Sequence, residues 1–267
     1  MVSRTLRARG GESGQAAVEA ALTLPLTIFM ILGTLQLFMM LQGRIMAEYA
    51  AFEAVRAGSR HHGDCVPMMH AGLAALLPNI VPYLGNGTSG GTPAEKLASA
   101  WRARIGSAGN PNPKFVAMDG DNSGGTIFWI VREQPLANRV PSPEDVDFDA
   151  PQNNGGGMRL EVRFIYWFPL KIPFADWVMS RMFLAHFGLQ DYNFTNPLNP
   201  AEKYAGWTSI NGPPIRLDAD IATEFKNRVM SGKYVFPIQA TYGMRMMTPA
   251  RKEFFQQQNC DPAPQSL

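Results

Sequence analysis

The longest pattern in the chain is an apolar one. Residues 20–41 carry no charged side chain, and at 1.5 Å per residue a helix of about 22 residues spans roughly 33 Å, one hydrocarbon core. A single membrane-spanning helix is therefore predicted. Helical spacing persists beyond it: Ile45, Met46, Tyr49, Phe52 and Val55 recur on one face, while Arg44, Glu48, Glu53 and Arg56 stand three or four apart as ion-pair partners. Residues 42–60 thus continue the helix as a stem with one sticky face, and Gly58 and Gly63 mark its end.

Shorter patterns follow. Residues 66–77 read as an apolar helix stopped before Pro78, and 78–91 as a loop with turns at Gly85-Asn86-Gly87 and Gly90-Gly91. Thr92-Pro93-Ala94-Glu95 is a capping box with proline at the first helical position, and it opens a helix whose Leu97, Trp101 and Ile105 form a buried stripe up to Gly106. Three stretches have strand character. Residues 126–131 are β-branched and aromatic. In 158–168, Met158, Leu160, Val162, Phe164, Tyr166 and Phe168 form one apolar face, while the other changes from charged to apolar toward Ile165 and Trp167. In 234–246 the alternation repeats, with Pro237 placing that strand at an edge or a bulge. Between the strands, 174–187 is an amphipathic helix holding Trp177, Val178, Met182, Phe183 and Leu184 and ending at Gly188. Packing on the sheet is its favoured role, with the membrane or a neighbouring subunit as the alternative. A last helix, 219–230, has Asp218 as its cap, Ile221, Phe225 and Val229 in line, and Gly232 past its end. The expected fold class is α+β: a long N-terminal transmembrane helix and stem, then an extracytoplasmic domain with an antiparallel sheet and packed helices.

The flanks of the apolar run give it an orientation. Arg4, Arg7 and Arg9 precede it, with Glu12 the only acid before Glu19, so the short N-terminus stays in the cytoplasm and the remainder lies outside. A signal peptide fits less well, because its apolar core is about 7–15 residues and Gln42-Gly43-Arg44 is a poor cleavage site. Glu19 stands one residue before the uncharged run. A carboxylate there is either solvated among headgroups or needs a partner.

A basic leader ending in Gly14, an acid five residues later and then the long apolar helix together resemble a type IV prepilin processing site. Within that superfamily, GESGQAAVEAALTLPLTIFMILG followed by AEYAAFEAVRAGSR is similar to the TadE/TadG family of pilin-like proteins of tight-adherence (Flp) pilus systems. The strand leading into Phe168-Pro169-Leu170-Lys171-Ile172-Pro173 is also similar to extracytoplasmic strands of TadE-like proteins. Many relatives carry an aromatic residue after the acid, where this chain has Ala20. The resemblance implies cleavage by a prepilin peptidase between Gly14 and Gln15, and a role for Glu19 in assembly and register. It also implies partners among other pilins, pilus assembly proteins and membrane lipid. The location implied is the bacterial inner membrane, single-pass, with the domain in the periplasm; incorporation into an extracellular pilus is left open. The function implied is structural, in pilus assembly and surface attachment, with no enzyme activity and no cofactor. The alternative is an uncleaved single-pass membrane protein whose periplasmic domain binds a ligand or carries an unseen activity.

Composition narrows this further. The 267 residues divide into a leader (1–14), a transmembrane helix and stem (15–60) and a domain (61–267) long enough for a sizeable core. The 25 Gly and 21 Pro make about 17% of the chain against a usual 12% or so, so loops are many. A net charge of +2 without a Lys/Arg run outside the leader argues against nucleic acid. In an oxidising periplasm the two cysteines, Cys65 and Cys260, are expected to form a disulfide. Closing so long a loop stabilises by about 4–5 kcal/mol in the chain-entropy model; two unpaired thiols are the alternative.

Candidate chemistry is sparse. His61, His62, Cys65 and His70 cluster, but their spacing matches no zinc pattern and a disulfide-bonded Cys65 cannot ligate, so no metal is expected. Asp119, Asp121, Ser123 and Gly124 match half of an EF-hand loop, yet position twelve is Ile130, which favours a hydrated turn. His186 lies within an apolar helix, and no G-x-S-x-G, H-E-x-x-H, P-loop or dinucleotide motif occurs.

Overall fold

A computed structural model describes residues 12–80, 91–105, 125–140, 158–192, 205–207 and 217–267. The basic leader, the turns at 85–87 and the Asp-rich stretch 119–124 lie outside the described residues.

Helix α1 (Glu12–Arg60) is one unbroken element of 49 residues, about 74 Å long at 1.5 Å per residue. It passes through Pro25 and changes surroundings along its length. Val18, Leu22, Leu26, Met30 and Phe38 are exposed, whereas Ala47, Ala50, Ala51, Ala54 and Val55 are fully buried. The chain reverses at His62 and Gly63, both left-handed (φ 57° and 83°). The Gly63 amide donates to the Gly58 carbonyl (2.9 Å) in the six-residue loop that closes many helix ends. Asp64 then caps α2 (Cys65–Ile80), its Oδ1 accepting from the Val66 amide at 3.0 Å.

Helix α2 runs through Pro78, beyond the boundary expected at Leu77. A proline in the last turn removes one amide, and here tertiary contacts hold the turn together. Leu76 and Leu77 are buried and Ile80 packs on the core. Asn79 donates to the Tyr166 hydroxyl (3.1 Å), and its carbonyl accepts from Lys171 Nζ (2.7 Å).

Helix α3 (Pro93–Ile105) starts at the expected capping box. The Glu95 amide donates to Thr92 Oγ1 (3.3 Å), and Glu95 Oε2 accepts from the amides of Thr92 (3.1 Å) and Gly91 (2.9 Å). Those donors, Thr92 foremost, hold the Glu95 carboxyl below its usual range.

The three-stranded sheet is antiparallel throughout, with β2 (Arg159–Pro169) between β1 (Phe128–Gln134) and β5 (Val235–Arg245). Strand β1 (Phe128–Gln134) begins two residues later than expected and runs three further, with a register irregularity between Arg132 and Gln134. The central strand β2 (Arg159–Pro169) pairs along its whole length with β5 (Val235–Arg245), an edge strand as Pro237 requires. Leu160, Val162, Phe164, Tyr166 and Phe168 face α1 and α2, and Phe128 stacks on Phe164 at 4.7 Å. On the opposite face Ile165 and Trp167 meet Trp129, Val131 and helix α5 (Ala219–Met230) through Ile221, Phe225 and Val229. Arg228 is buried there, over the Trp167 ring at 4.4 Å and paired with Glu224 at 2.7 Å. Asp218 precedes α5 as expected, but its side chain makes no cap hydrogen bond and pairs with Arg163. Arg163 also reaches Glu133 at 2.9 Å; a guanidinium offers more charge than an amide donor, so the carboxylate turns to it.

Helix α4 (Ala175–His186) buries Ala175, Met179 and Leu184 toward the protein. Short strands β3 (Gln190–Tyr192) and β4 (Ala205–Trp207) form a separate pair. The C-terminal segment, with a 3-10 turn at Lys252–Phe255, returns to the β1 edge, where the Cys260 amide donates to the Ile130 carbonyl at 3.1 Å.

Two glycines of α1 test how closely it docks. A Cβ on Gly43 would sit 2.5 Å from the Phe168 ring, whereas one on Gly33 meets nothing within 4 Å. Relative to Gly33→Ala, Gly43→Ala is expected to lose about 1–3 kcal/mol through overpacking. Unfolding midpoints of the detergent-solubilised chain measure this; equal midpoints contradict the close approach.

Candidate functional site

The residues singled out in the sequence occupy the two ends of α1. At the start, Gly14, Gln15 and Glu19 are all exposed, and the space around Gly14 is open. Gln15 and Glu19 are four residues apart and so lie on one face, one turn from each other. The Glu19 carbonyl accepts from Thr23 Oγ1 at 2.9 Å, a bond that leaves the carboxylate free to face outward. Within the first half of α1 no other part of the described protein covers this segment.

At the far end, Cys65 and Cys260 are joined in a disulfide with a Cα–Cα distance of 5.4 Å, closing a separation of 195 residues. Beside it lies Arg132, which the sequence did not mark. It is buried in β1 and donates to four backbone carbonyls: Gly63 (2.8 Å), Phe254 (2.9 Å), Gln257 (2.6 Å) and Gln258 (2.8 Å). Its guanidinium also covers the Phe255 ring at 4.1 Å. Burial pushes the Arg132 pKa down to about 10 while nearby Asp64 raises it, so the group stays charged at neutral pH. One side chain thereby ties the α1–α2 turn to the C-terminal segment. The only local signal was an arginine following four apolar strand residues, which also fits a strand end reaching solvent.

The histidines do not converge. His62 Nδ1 lies 2.8 Å from the Pro249 carbonyl oxygen, and His70 packs against the Trp101 ring at 5.7 Å. Among the described residues no group of three or more His, Cys, Asp or Glu side chains gathers as a metal site. His186 neighbours Phe187 at 5.7 Å and is exposed.

A third feature lies midway along α1. Gln36, a lone amide in the second half of the apolar run, is fully buried. Its Oε1 accepts the backbone amides of Lys171 (3.1 Å) and Ile172 (3.0 Å), at the exit from β2. Its Nε2 has no hydrogen-bond partner among the described residues. A polar side chain in an apolar helix is costly unless bonded, so this clasp fixes the domain to one height on α1. A single glutamine among the apolar residues was the signal for it.

Residues 14–56 match the family described as TadE-like protein. The TadE-like segment therefore spans both the exposed half of α1 and the alanine face buried against the sheet, and it associates the chain with the tight-adherence pilus. Neither the curated proteins nor the solved structures give a match. Within the described residues, α1 is the one helix long and apolar enough to cross a membrane.

The clasp has a direct test. In Gln36→Leu the amides of Lys171 and Ile172 lose their acceptor, a penalty of about 1–3 kcal/mol, so their hydrogen exchange is expected to accelerate about tenfold or more. Unchanged protection at both amides would show that Gln36 does not hold the loop.

Proposed function

We propose that this chain is a pilin-like structural component of a tight-adherence pilus, held in the bacterial inner membrane by α1 and acting in pilus assembly and surface attachment. The N-terminus faces the cytoplasm and the α+β domain the periplasm. A prepilin peptidase cuts between Gly14 and Gln15, and the chain then works with other pilins and pilus assembly proteins rather than as an enzyme. The observation that carries this reading is the TadE-like match beginning at residue 14, at the foot of a helix whose first half is uncovered.

The chemistry of the cut end supports it. Cleavage turns Gln15 into an α-amino terminus, a cation with an unperturbed pKa of about 7.7–8.0 at a helix end that already carries partial positive charge. An anion one turn away relieves both. Glu19 stands there and can serve its own amine or that of an adjacent subunit. Among packed apolar helices an unmatched charge costs several kcal/mol, enough to fix the register between subunits.

Two measurements test the reading. Intact-mass analysis of protein extracted from membranes is expected to find Gln15 as the dominant N-terminus; Met1 or Val2 in its place removes the pilin assignment. The Glu19→Gln variant keeps size and hydrogen bonding and loses only charge. It is expected to reach the membrane and be cut, yet to fail to co-purify with pilus proteins and to leave cells poorly adherent. Normal co-purification and adherence would make Glu19 a solvated headgroup-layer residue.

A further inference from the structure

Helix α4 is apolar on both sides. Its inner stripe, Ala175, Met179 and Leu184, is buried against the protein. Its outer stripe follows the spacing i, i+3, i+4, i+8, i+11: Phe174, Trp177, Val178, Met182 and Ala185. Three of these are largely uncovered, Phe174 at 56%, Trp177 at 48% and Met182 at 62% exposure. An apolar stripe of this kind belongs against a core or in lipid, and the protein supplies a core to one side only.

The position of α4 identifies what lies on the other side. At its start the Phe174 ring meets Phe29 edge-on at 5.9 Å, and the preceding Lys171 and Ile172 are clasped by Gln36. At its end Phe187 lines a groove of about 410 Å³ together with Met40, Leu41 and Phe236, with Arg44 at the rim. The helix thus extends beside residues 29–41 of α1, the second half of the uncharged run. From residue 29 to residue 41 α1 advances about 18 Å, and the 12 residues of α4 cover about the same length along their own axis. The neighbouring α1 side chains Met30, Ile31, Leu37 and Phe38 are exposed as well.

We infer that α4 is a membrane-embedded helix of the outer domain, its outer stripe dissolved in the outer leaflet of the same bilayer that α1 crosses. The inference rests on the single-span reading of α1. Its one arginine, Arg181, approaches the Trp177 ring at 6.0 Å, and its long stem lets the guanidinium extend from the apolar stripe toward the headgroups. Its acid, Asp176, sits in the first turn, where its carboxylate accepts the Trp177 amide (2.6 Å) and the helix dipole favours negative charge. The bilayer is preferred to a second copy of the chain because the stripe continues the lipid-facing surface of α1. With Gln36 bonding α1 to the loop ahead of α4, the embedded helix sets the height at which the domain rides on the membrane.

The full chain in nanodiscs of phosphatidylcholine and phosphatidylglycerol tests this. Both native cysteines are consumed in the disulfide, so single nitroxides are introduced through Trp177→Cys, Met182→Cys, Leu26→Cys on the apolar run, and Thr223→Cys on the exposed face of α5. Collision rates with oxygen and with a water-soluble nickel chelate are compared. The expected result is an oxygen-to-nickel ratio at positions 177 and 182 close to that at 26 and several-fold above that at 223. A ratio at 177 and 182 equal to that at 223, with 26 still oxygen-rich, overturns the inference and leaves the single span standing. Spin–spin broadening at 177 or 182 that disappears on dilution with unlabelled chain also overturns it, since a second copy then covers the face. A water-like ratio at 26 refutes the single span itself, and the inference with it.

Discussion

One helix has to be soluble in two different surroundings, and the rest of the structure follows from that requirement. From Val18 to Ile28, α1 presents bulky apolar side chains outward on all sides, as a lipid-solvated helix does. The second half presents Ala47, Ala50, Ala51 and Ala54, all fully buried, to the sheet. Small residues let backbone and sheet approach closely, and Phe168 presses on Gly43 while Leu160 and Met68 press on Gly58, each within 3 Å of where a Cβ would lie. Beyond Pro25 no break separates the two halves, so tilt or displacement of that part of the membrane segment is passed to the domain.

Two local devices hold the helix at either end of the docking face. Gln36 bonds the β2–α4 connection at the membrane side. At the other side Arg132 and the Cys65–Cys260 disulfide bind the α1–α2 turn to the C-terminal segment. Arg132 gathers four carbonyls that would otherwise need other partners, and each charge-assisted bond of that kind contributes more than a neutral one, about 1.5–3 kcal/mol. Among the described residues no carboxylate pairs directly with this cation, and carbonyl dipoles and the Phe255 ring take that place. A TadE-like segment ending at residue 56 stops just short of this lock. The match thus covers most of α1.

What was legible in the sequence depended on whether one residue type or a distant partner decided the outcome. The alternation in β2 was readable down to its second face, where the change from Arg159 and Glu161 to Ile165 and Trp167 maps onto the change from open to covered sheet. The capping box at Thr92 and Glu95 was readable because all its atoms are local. The far limit of α2, and the Asp218 side chain that stands at the N-cap of α5 without bonding the helix, depend instead on distant partners. Lys171 and Tyr166, about 90 residues away, secure the turn containing Pro78. Arg163, 55 residues away, draws the Asp218 carboxylate from the helix end. Gln36 and Arg132 went unmarked because their partners are backbone groups, which carry no signature in the side-chain pattern. The apolar load of α4 meets the core on one side, where Met179 and Leu184 are buried, while Trp177 and Met182 stay exposed on the other, the side to which the alternative of membrane or neighbouring subunit applies.

The central claim is that α1 joins bilayer and domain as one rigid rod. A distance measurement between nitroxides at Leu26→Cys and Thr223→Cys, by double electron–electron resonance on the full chain in nanodiscs, tests it most directly. A single narrow distribution is predicted, the same in bilayers of different thickness. A broad or two-peaked distribution would place a hinge between the halves of the helix and contradict the account.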